Sequence, residues 1–294
     1  MGRPQPRVHL ERLVPQRLMA GTALGTAPDA GLAGSAIAPL DWQLWVDHEA
    51  RPGWANMAYD AALLEQAASG GAVLRLYRWG PWCLSFGRHE PALRRYDREA
   101  ILARGLDTVR RPTGGRAVWH ADELTYAVAA PASAFGDLAR AYRLIHAMLQ
   151  RAVRSLGVRA MLAPARTAVR PLDIGACFAN PVGGEVMTAA GKLVGSAQLR
   201  QNGALLQHGS LLLSGTQDVV SDIARGAAAE AHCTTLAAEL GRPVSFDEVV
   251  PAVIATAAEW PGTWHELRGP SANVRAQAER HAIQFKSPEW TWRR

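Results

Sequence analysis

The sequence predicts an α+β domain in which a mixed sheet is flanked by helices. Segments with strand character and segments with helical spacing are interspersed along the chain, without the regular alternation that a doubly wound parallel sheet requires. The chain has 294 residues, of which 48% are hydrophobic and 20% are charged, as is typical of a globular protein with one large core. No run approaches the roughly 18 apolar residues that a membrane span needs.

The N-terminal stretch is predicted to lie outside this domain. Residues 1–40 begin with several arginines and continue with alanine, glycine and proline in no clear period. Pro28 and Asp29 interrupt the apolar part, which argues against a signal peptide. We therefore expect residues 1–40 to be a disordered or mis-started extension, and residues 41–294 to form the domain, with a helical part over 217–294.

From residue 41 onward the patterns are regular. Strands are predicted at residues 43–47, 73–77, 82–86, 107–110, 117–119, 124–129, 174–178, 185–188, 193–198 and 204–213. Helices are predicted at residues 56–68, 91–103 and 135–156, followed by three or four helices over 217–294 with loops at 241–243 and 261–270. Pro91 suits a first helical turn, and Gly157 suits a C-terminal cap.

Two adjacent glycines between arginines mark residues 110–120 as a candidate binding segment. Backbone without a Cβ lets a ligand approach closely, while free N–H groups and guanidinium groups favour a carboxylate, a phosphate or a thioester carbonyl. The alternative is a tight turn with solvated arginines. The segment is neither a Walker A loop nor a dinucleotide fingerprint. The candidate binding residues here are Arg111, Thr113, Gly114, Gly115, Arg116, Ala117 and His120.

A lysine is the conspicuous residue of the second candidate segment, residues 191–198. Among the 32 lysines and arginines only Lys192 and Lys286 are lysines, which indicates positions where a planar guanidinium does not serve. Burial in an internal strand would let Lys192 act as a base or as a cation facing a carbonyl group, whereas the alternative is a surface lysine in a hairpin turn. Small residues nearby leave room for an extended ligand, and His208 either orients it or is a structural histidine. The candidate binding residues here are Gly195, Ser196, Ala197 and His208.

The cysteines are too few and too scattered for a disulfide framework or a metal site, so we expect free thiols in a reducing cytoplasm. Cys177 lies between a predicted strand and a loop rich in proline and glycine, where a nearby ammonium group would stabilise a nucleophilic thiolate. Cys83, in a strand, and Cys233, in a predicted alanine-rich helix, are interpreted as small buried apolar residues.

Several ordered motifs together resemble one enzyme family, the biotin/lipoate-protein ligase catalytic-domain family. The resemblance rests on residues 110–126, on residues 191–198 with 208–210, and on the earlier residues 56–60 and 85–88. The segment around Cys177 upstream of Glu185, together with the closing residues 287–290, is similar to the LipM-type octanoyltransferases of that family. The resemblance runs from about Trp42 to the last residue.

This resemblance implies a mechanism and partners. It implies a cysteine acyl-enzyme at Cys177, an essential Lys192, and ping-pong transfer of an octanoyl group from octanoyl-[acyl carrier protein] to a lysine of a lipoyl-domain protein such as the glycine cleavage H protein. No metal or other cofactor, no nucleic acid and no membrane is expected, and the protein is expected to be a cytoplasmic monomer. Ala117 and Ala197 are expected to line an apolar tunnel for the acyl chain. The arginines expected to form a basic surface that steers acidic protein substrates are Arg88, Arg94, Arg95, Arg98, Arg110 and Arg111.

Other functions remain open at this point. An ATP-dependent lipoate–protein ligase would use Lys192 to hold an acyl-adenylate and would not need Cys177. An amidotransferase acting between lipoyl-domain proteins and a non-catalytic protein that binds the carrier protein or the acyl chain are further alternatives. A nucleic-acid-binding protein is suggested only by the net charge of +6, without a recognised motif.

Overall fold

The computed structural model describes residues 37–164, 183–226 and 232–293, and within them the largest feature is a six-stranded mixed sheet. Its strands lie in the order β11, β1, β2, β6, β10 and β9, beside a three-stranded sheet in the order β4, β3, β5 and a pair formed by β7 and β8. The strands are β1 (Leu40–Arg51), β2 (Ala72–Trp79), β3 (Cys83–Phe86), β4 (Asp107–Arg110), β5 (Val118–His120), β6 (Glu123–Pro131), β7 (Met161–Leu162), β8 (Val186–Met187), β9 (Val194–Gln201), β10 (Ala204–Leu212) and β11 (Gly262–Leu267).

Helices cover both faces of the large sheet. They are α1 (Gly53–Ala68), α2 (Ala92–Arg95), α3 (Arg98–Ala103), α4 (Leu138–Ser155), α5 (Asp218–Asp222), α6 (Leu236–Leu240), α7 (Phe246–Ala257), α8 (Ala272–Lys286) and α9 (Pro288–Thr291). None of the helices in the described part of the chain has the length and apolar character of a membrane-spanning segment.

The large sheet is buried on both faces because its strands alternate between two apolar clusters. In β2, Leu74 and Leu76 belong to the cluster that includes residues of α4 and α7, whereas Val73 and Tyr77 belong to the cluster that includes residues of α1 and α8. β1 is parallel to β2 and β11, while the pairs β2–β6, β6–β10 and β10–β9 are antiparallel. This mixed sheet between helices confirms the predicted α+β class.

The C-terminal residues are joined to the rest of the domain through one buried arginine. The guanidinium of Arg110 donates hydrogen bonds to the backbone carbonyls of Trp290 and Arg293 and, on the other side, to those of Gly87 and Glu90. Burial and the neighbouring Arg293 lower the pKa of Arg110 to about 10. Arg110 therefore fixes both the loop after β3 and the end of the chain, instead of lying on a basic surface as predicted.

Two predicted elements differ from the structure. The predicted helix 91–103 is divided into α2 and α3, because Tyr96 adopts an extended conformation and bridges Ala224, and Asp97 then caps α3 with its side chain. The predicted loop 261–270 contains β11, which pairs in parallel with β1. β11 lies at the edge of the sheet and is mostly exposed, so it lacks the apolar alternation that marks a strand in the sequence.

Three further predictions concern residues elsewhere in the chain. Cys233 lies in no helix: it is half-buried and precedes α6, in a short bridge to Lys192. Cys83 is fully buried in β3, as predicted. The predicted strand at residues 174–178 lies outside the described residues, whereas β7 was not predicted.

At the N-terminal end of the described chain, Ile37 is buried in the core and Ala38 donates a backbone hydrogen bond to Ala134.

Candidate active site

A pocket opens between the large sheet and the three-stranded sheet. It encloses about 340 Å³, part of which is open to solvent. Its walls come from β2, β5, β6, β9 and β10, with contributions from α1 and from the segment that follows β4. The lining residues are Met57, Tyr77, Trp79, Arg111, Val118, His120, Thr125, Gly195, Ser196, Ala197, His208, Gly209 and Ser210. The two candidate segments, which lie about 80 positions apart, thus meet at one cavity.

The glycine-rich loop is held in place by a buried arginine. The guanidinium of Arg111 donates hydrogen bonds to the carbonyl of Gly114 at 3.1 Å, to that of Arg116 at 2.7 Å and to that of Ser85 at 3.0 Å. A Cβ built on the neighbouring Gly87 would lie 1.9 Å from the carbonyl oxygen of Gly115, so only glycine permits this backbone approach. Arg111 therefore shapes the loop and lines the pocket, and it is not part of an exposed basic surface.

His120 lies on the pocket wall with both ring nitrogens engaged. Its Nδ1 is 2.9 Å from a carboxylate oxygen of Glu123, and its Nε2 is 2.6 Å from the hydroxyl of Ser85. The ring stacks on Trp79 with 3.9 Å between ring centroids. Burial lowers the pKa of His120, so the neutral ring donates to Glu123 and accepts from Ser85, whose oxygen in turn accepts from Arg111.

His208 connects the glycine-rich loop to a buried ion pair beneath the pocket. Its Nε2 lies 2.6 Å from the hydroxyl of Thr113, and its Nδ1 lies 2.7 Å from a carboxylate oxygen of Asp60. Asp60 also accepts hydrogen bonds from Arg75, a fully buried arginine, and from Tyr77. His208 is thus a structurally satisfied histidine and also a pocket residue, so both predicted interpretations describe it.

The close approach of β10 to β9 beside the pocket requires a glycine. A Cβ built on Gly209 would lie 2.4 Å from the carbonyl oxygen of Gly195 and 2.4 Å from the hydroxyl oxygen of Ser196 on the neighbouring strand. Only glycine therefore fits at position 209, and the small residues 195–197 on β9 line the pocket beside it, as the sequence predicts.

Lys192 is buried and paired with a carboxylate. Its Nζ lies 2.6 Å from Oε1 of Glu185, and the two side chains are 1% and 2% exposed. Tyr142, on α4, donates a hydrogen bond to the same carboxylate oxygen at 3.1 Å. The preceding residue, Gly191, has φ +150° and packs closely on His232, since a Cβ at Gly191 would lie 2.8 Å from the carbonyl oxygen of His232. His232 therefore covers the backbone next to the lysine. This burial excludes the alternative of a surface lysine in a turn.

His146 on α4 links the lysine region to the pocket. Its Nδ1 lies 2.8 Å from the carbonyl oxygen of Gly184, the residue before Glu185, and its Nε2 lies 2.7 Å from the hydroxyl of Ser196. Burial and the ammonium of Lys192 lower the pKa of His146 to about 3, against the opposing effect of the Gly184 hydrogen bond. His146 is therefore neutral near pH 7.

Half of the predicted site residues that the structure describes line one cavity. They are Arg111, His120, Gly195, Ser196, Ala197 and His208. The predicted residues that are absent from its lining are Thr113, Gly114, Gly115, Arg116, Ala117 and Lys192. Ala117 packs with Tyr96 and Trp119 in a separate apolar cluster, while Val118 faces the pocket, because successive residues of an extended segment point to opposite sides. Ala197 lines the pocket as expected. Cys177 lies outside the described residues. The described ends on either side of it meet, since Ala163 exchanges backbone hydrogen bonds with Gly184 and Glu185.

The sequence analysis did not identify four residues that hold this site together, namely Asp60, Glu123, His146 and Glu185. Two of them carried a detectable signal. Asp60 lies three positions after Met57 and four before Leu64, so a charge occupies the apolar face of its helix, and His146 lies three positions before Leu149 on the buried face of α4. A polar residue on an apolar helix face indicates a buried partner.

Comparison with known proteins defines the class. The sequence model of the family described as Lipoyl protein ligase A/B catalytic domain matches residues 52–258. The fold is similar to that of a putative lipoate protein ligase from T. acidophilum with bound lipoic acid, with a TM-score of 0.70 and 20% identity, covering 86% of this chain and 100% of that chain. It is also similar to lipoate-protein ligase A bound with ATP, with a TM-score of 0.70 and 22% identity, covering 86% and 99%. The chain belongs to the lipoyl protein ligase A/B catalytic-domain family.

More similar relatives place the chain within that family. Octanoyltransferase LipM from Kyrpidia tusciae is 36% identical over 258 residues, which cover 81% of this chain and 94% of that protein. Octanoyltransferase LipM from an Exiguobacterium strain is 35% identical over 258 residues, with the same coverage. The chain is thus a family member of the LipM type and a transferase enzyme, which confirms the predicted family.

Proposed function

We propose that this enzyme transfers an octanoyl group from octanoyl-[acyl carrier protein] to a lysine of a lipoyl-domain protein, through a thioester on Cys177. The observation that carries the proposal is the buried pair of Lys192 and Glu185, which His146 connects to the pocket residue Ser196, in a chain of the LipM type. A lipoyl domain such as the glycine cleavage H protein is the proposed acceptor, and the reaction is a step of protein lipoylation.

The proposed reaction consists of two acyl transfers. The Cys177 thiolate attacks the carbonyl carbon of the donor thioester, a new C–S bond forms, the donor C–S bond breaks, and the departing thiolate takes up a proton. A neutral lysine amine of the acceptor then attacks the acyl-enzyme. The C–N bond forms, the bond to Cys177 breaks, and the proton lost by the nitrogen neutralises the sulfur. Because both leaving groups are thiolates, the first transfer is nearly isoenergetic and needs no ATP.

The surroundings of Lys192 support this chemistry. A buried ammonium stabilises a nearby thiolate and the negative charge that develops during acyl transfer. Cys177 lies six positions before Gly183, which limits the distance between their Cα atoms to about 20 Å, and Gly184 is bonded to His146 beside Lys192. This spacing is compatible with the proposed contact between the sulfur and the ammonium.

The pocket also suits a short acyl chain. The side chains of Met57, Tyr77, Trp79 and Val118 present apolar surface to it, which suits the hydrocarbon part of an acyl group. Exposed Arg94 and Arg98, with half-buried Arg88, remain from the predicted basic surface and would favour an acidic protein substrate.

Intact-mass spectrometry after incubation with octanoyl-[acyl carrier protein], without ATP, tests the proposal. We expect an octanoyl adduct that neutral hydroxylamine removes, that is absent in Cys177→Ala, and that passes to added lipoyl domain. Cys233→Ala is the matched control, because this second thiol is half-buried and bridges Lys192 through its backbone. An adduct that persists in Cys177→Ala would place the acyl group on another nucleophile and overturn the role of Cys177. Modification of the lipoyl domain that requires ATP and free lipoate would instead support an ATP-dependent lipoate–protein ligase.

A further inference from the structure

A chain of hydrogen bonds ends at the pocket on the hydroxyl of Ser196. This oxygen lies 2.7 Å from Nε2 of His146 and 2.7 Å from the hydroxyl of Tyr126. Tyr126 accepts a hydrogen bond from the side-chain amide of Gln207 at 2.9 Å, and Gln207 accepts one from the amide of Gln198 at 2.8 Å. Ser196 is the member of this chain that lines the pocket.

The direction of each hydrogen bond follows from the two ends of the chain. The carbonyl of Gly184 can only accept, so Nδ1 of His146 carries the proton, and Nε2 of this neutral ring must accept from Ser196. The hydroxyl proton of Ser196 is therefore committed to His146. Tyr126, which accepts from Gln207, has its own proton free to donate to Ser196. Ser196 thus retains a lone pair but no proton for a group in the pocket.

The Ser196 oxygen can accept a hydrogen bond but cannot donate one, so its partner among the reacting groups must be a hydrogen-bond donor. It cannot stabilise the oxyanion of a tetrahedral intermediate, because that requires a hydrogen-bond donor. The acyl chain, the thioester carbonyl and the thiolate carry no N–H or O–H group. Among the atoms that form or break bonds in the two transfers, only the nitrogen of the attacking amine carries N–H donors.

We propose that the Ser196 hydroxyl oxygen accepts a hydrogen bond from the acceptor lysine amine as it attacks the acyl-enzyme, and that His146 is the positioning residue that keeps the hydroxyl proton turned away. This inference rests on the proposed function and assigns Ser196 to its second half alone. An N–H held by Ser196 orients the nitrogen lone pair toward the thioester carbon, which is the alignment that amide formation requires.

Separate measurement of the two half-reactions tests the inference. Loading of Cys177 from octanoyl-[acyl carrier protein] is followed by rapid-quench mass spectrometry, and the isolated octanoyl-enzyme is then mixed with lipoyl domain. We expect Ser196→Ala to load within about twofold of the parent rate and to transfer at least about tenfold more slowly, since one hydrogen bond to a charged or developing-charge group is lost. Ser155→Ala, which removes a hydroxyl from α4 outside the pocket, is expected to change neither rate.

The transfer rates of His146 variants test whether His146 positions the Ser196 hydroxyl. His146→Phe frees the Ser196 proton, so transfer is expected to slow as in Ser196→Ala, while the double variant is expected to be no slower than the slower single variant. His146→Gln, whose amide oxygen can still accept the hydroxyl proton, is expected to recover part of the rate. Normal loading in each variant shows that the enzyme is folded.

Every other result counts against the inference. Equal slowing of loading and transfer in Ser196→Ala would place the hydrogen bond on the donor substrate, and unchanged transfer would remove the role altogether. If the parent enzyme loads and transfers while Ser196→Ala equals it, the inference alone fails. If the parent enzyme does not load from octanoyl-[acyl carrier protein], the proposed function fails and the inference fails with it.

Discussion

Part of the destabilisation expected in acid comes from a buried histidine, His146. The side chain is fully buried in the folded protein, where its pKa is lowered to about 3, whereas in the unfolded chain it returns to about 6.5. Between these two values the unfolded state binds one more proton than the folded state, so stability is lost as the pH falls, by about 1.4 kcal/mol per unit. From about pH 7 to about pH 4.5 the loss attributable to His146 is roughly 2–3 kcal/mol.

Urea unfolding of the parent enzyme and of His146→Gln across this pH range isolates that contribution. His120, whose pKa is also lowered by burial, acts in the same direction but is present in both proteins, so it cancels in the difference. We expect the parent curve to be steeper than that of His146→Gln by roughly 2–3 kcal/mol over the range. His265→Gln, a change at an exposed residue of β11, serves as the control and is expected to keep the parent slope. Parallel curves for the parent enzyme and His146→Gln would refute the assignment of a neutral buried histidine.

Two further predictions concern Arg110 and Lys192. Arg110→Ala is expected to lower the free energy of unfolding by about 3 kcal/mol or more, because several buried backbone carbonyls lose their donor at once. The control, Arg94→Ala, changes an exposed residue and is expected to alter the free energy of unfolding by less than about 0.5 kcal/mol. Denaturant titration compares the two, and similar small losses would contradict the role of Arg110 in fixing the C-terminus. Lys192→Arg is expected to reduce the rate of octanoyl transfer at least about 100-fold although the positive charge is kept. The reason is that a longer, planar guanidinium does not fit the buried position 2.6 Å from Glu185 and does not give up a proton. Steady-state transfer assays measure this change, with circular dichroism to verify folding, and near-normal activity would contradict the argument for a lysine at this position.

The family and the two pocket-forming segments were predictable from the sequence because their signals are local. Gly115, one of two adjacent glycines between arginines, has a φ of +93°, and this requirement for glycine is visible in the residue types themselves. Lys192 was conspicuous because almost every other cation of the chain is arginine. Both features depend on residue chemistry at single positions, so no knowledge of distant contacts was needed to find them.

Local patterns were insufficient where a role depends on a distant partner. The same arginine pair that indicated a basic surface is buried, because Arg110 bonds to carbonyls about 180 positions later and Arg111 bonds to Ser85 and to the glycine loop. Likewise β11 is a strand because β1 lies beside it, although its own residues are mostly exposed.

The sequence alone determined the α+β class, the family and the residue types that surround the pocket, since periodicity, glycine placement and motif order are properties of neighbouring positions. Only the tertiary structure decided that Glu185 forms an ion pair with Lys192 and that His146 is hydrogen-bonded to the hydroxyl of Ser196. The physical reason is that burial and hydrogen-bond direction depend on which strands and helices pack together, and contacts across tens of residues leave no period in the chain.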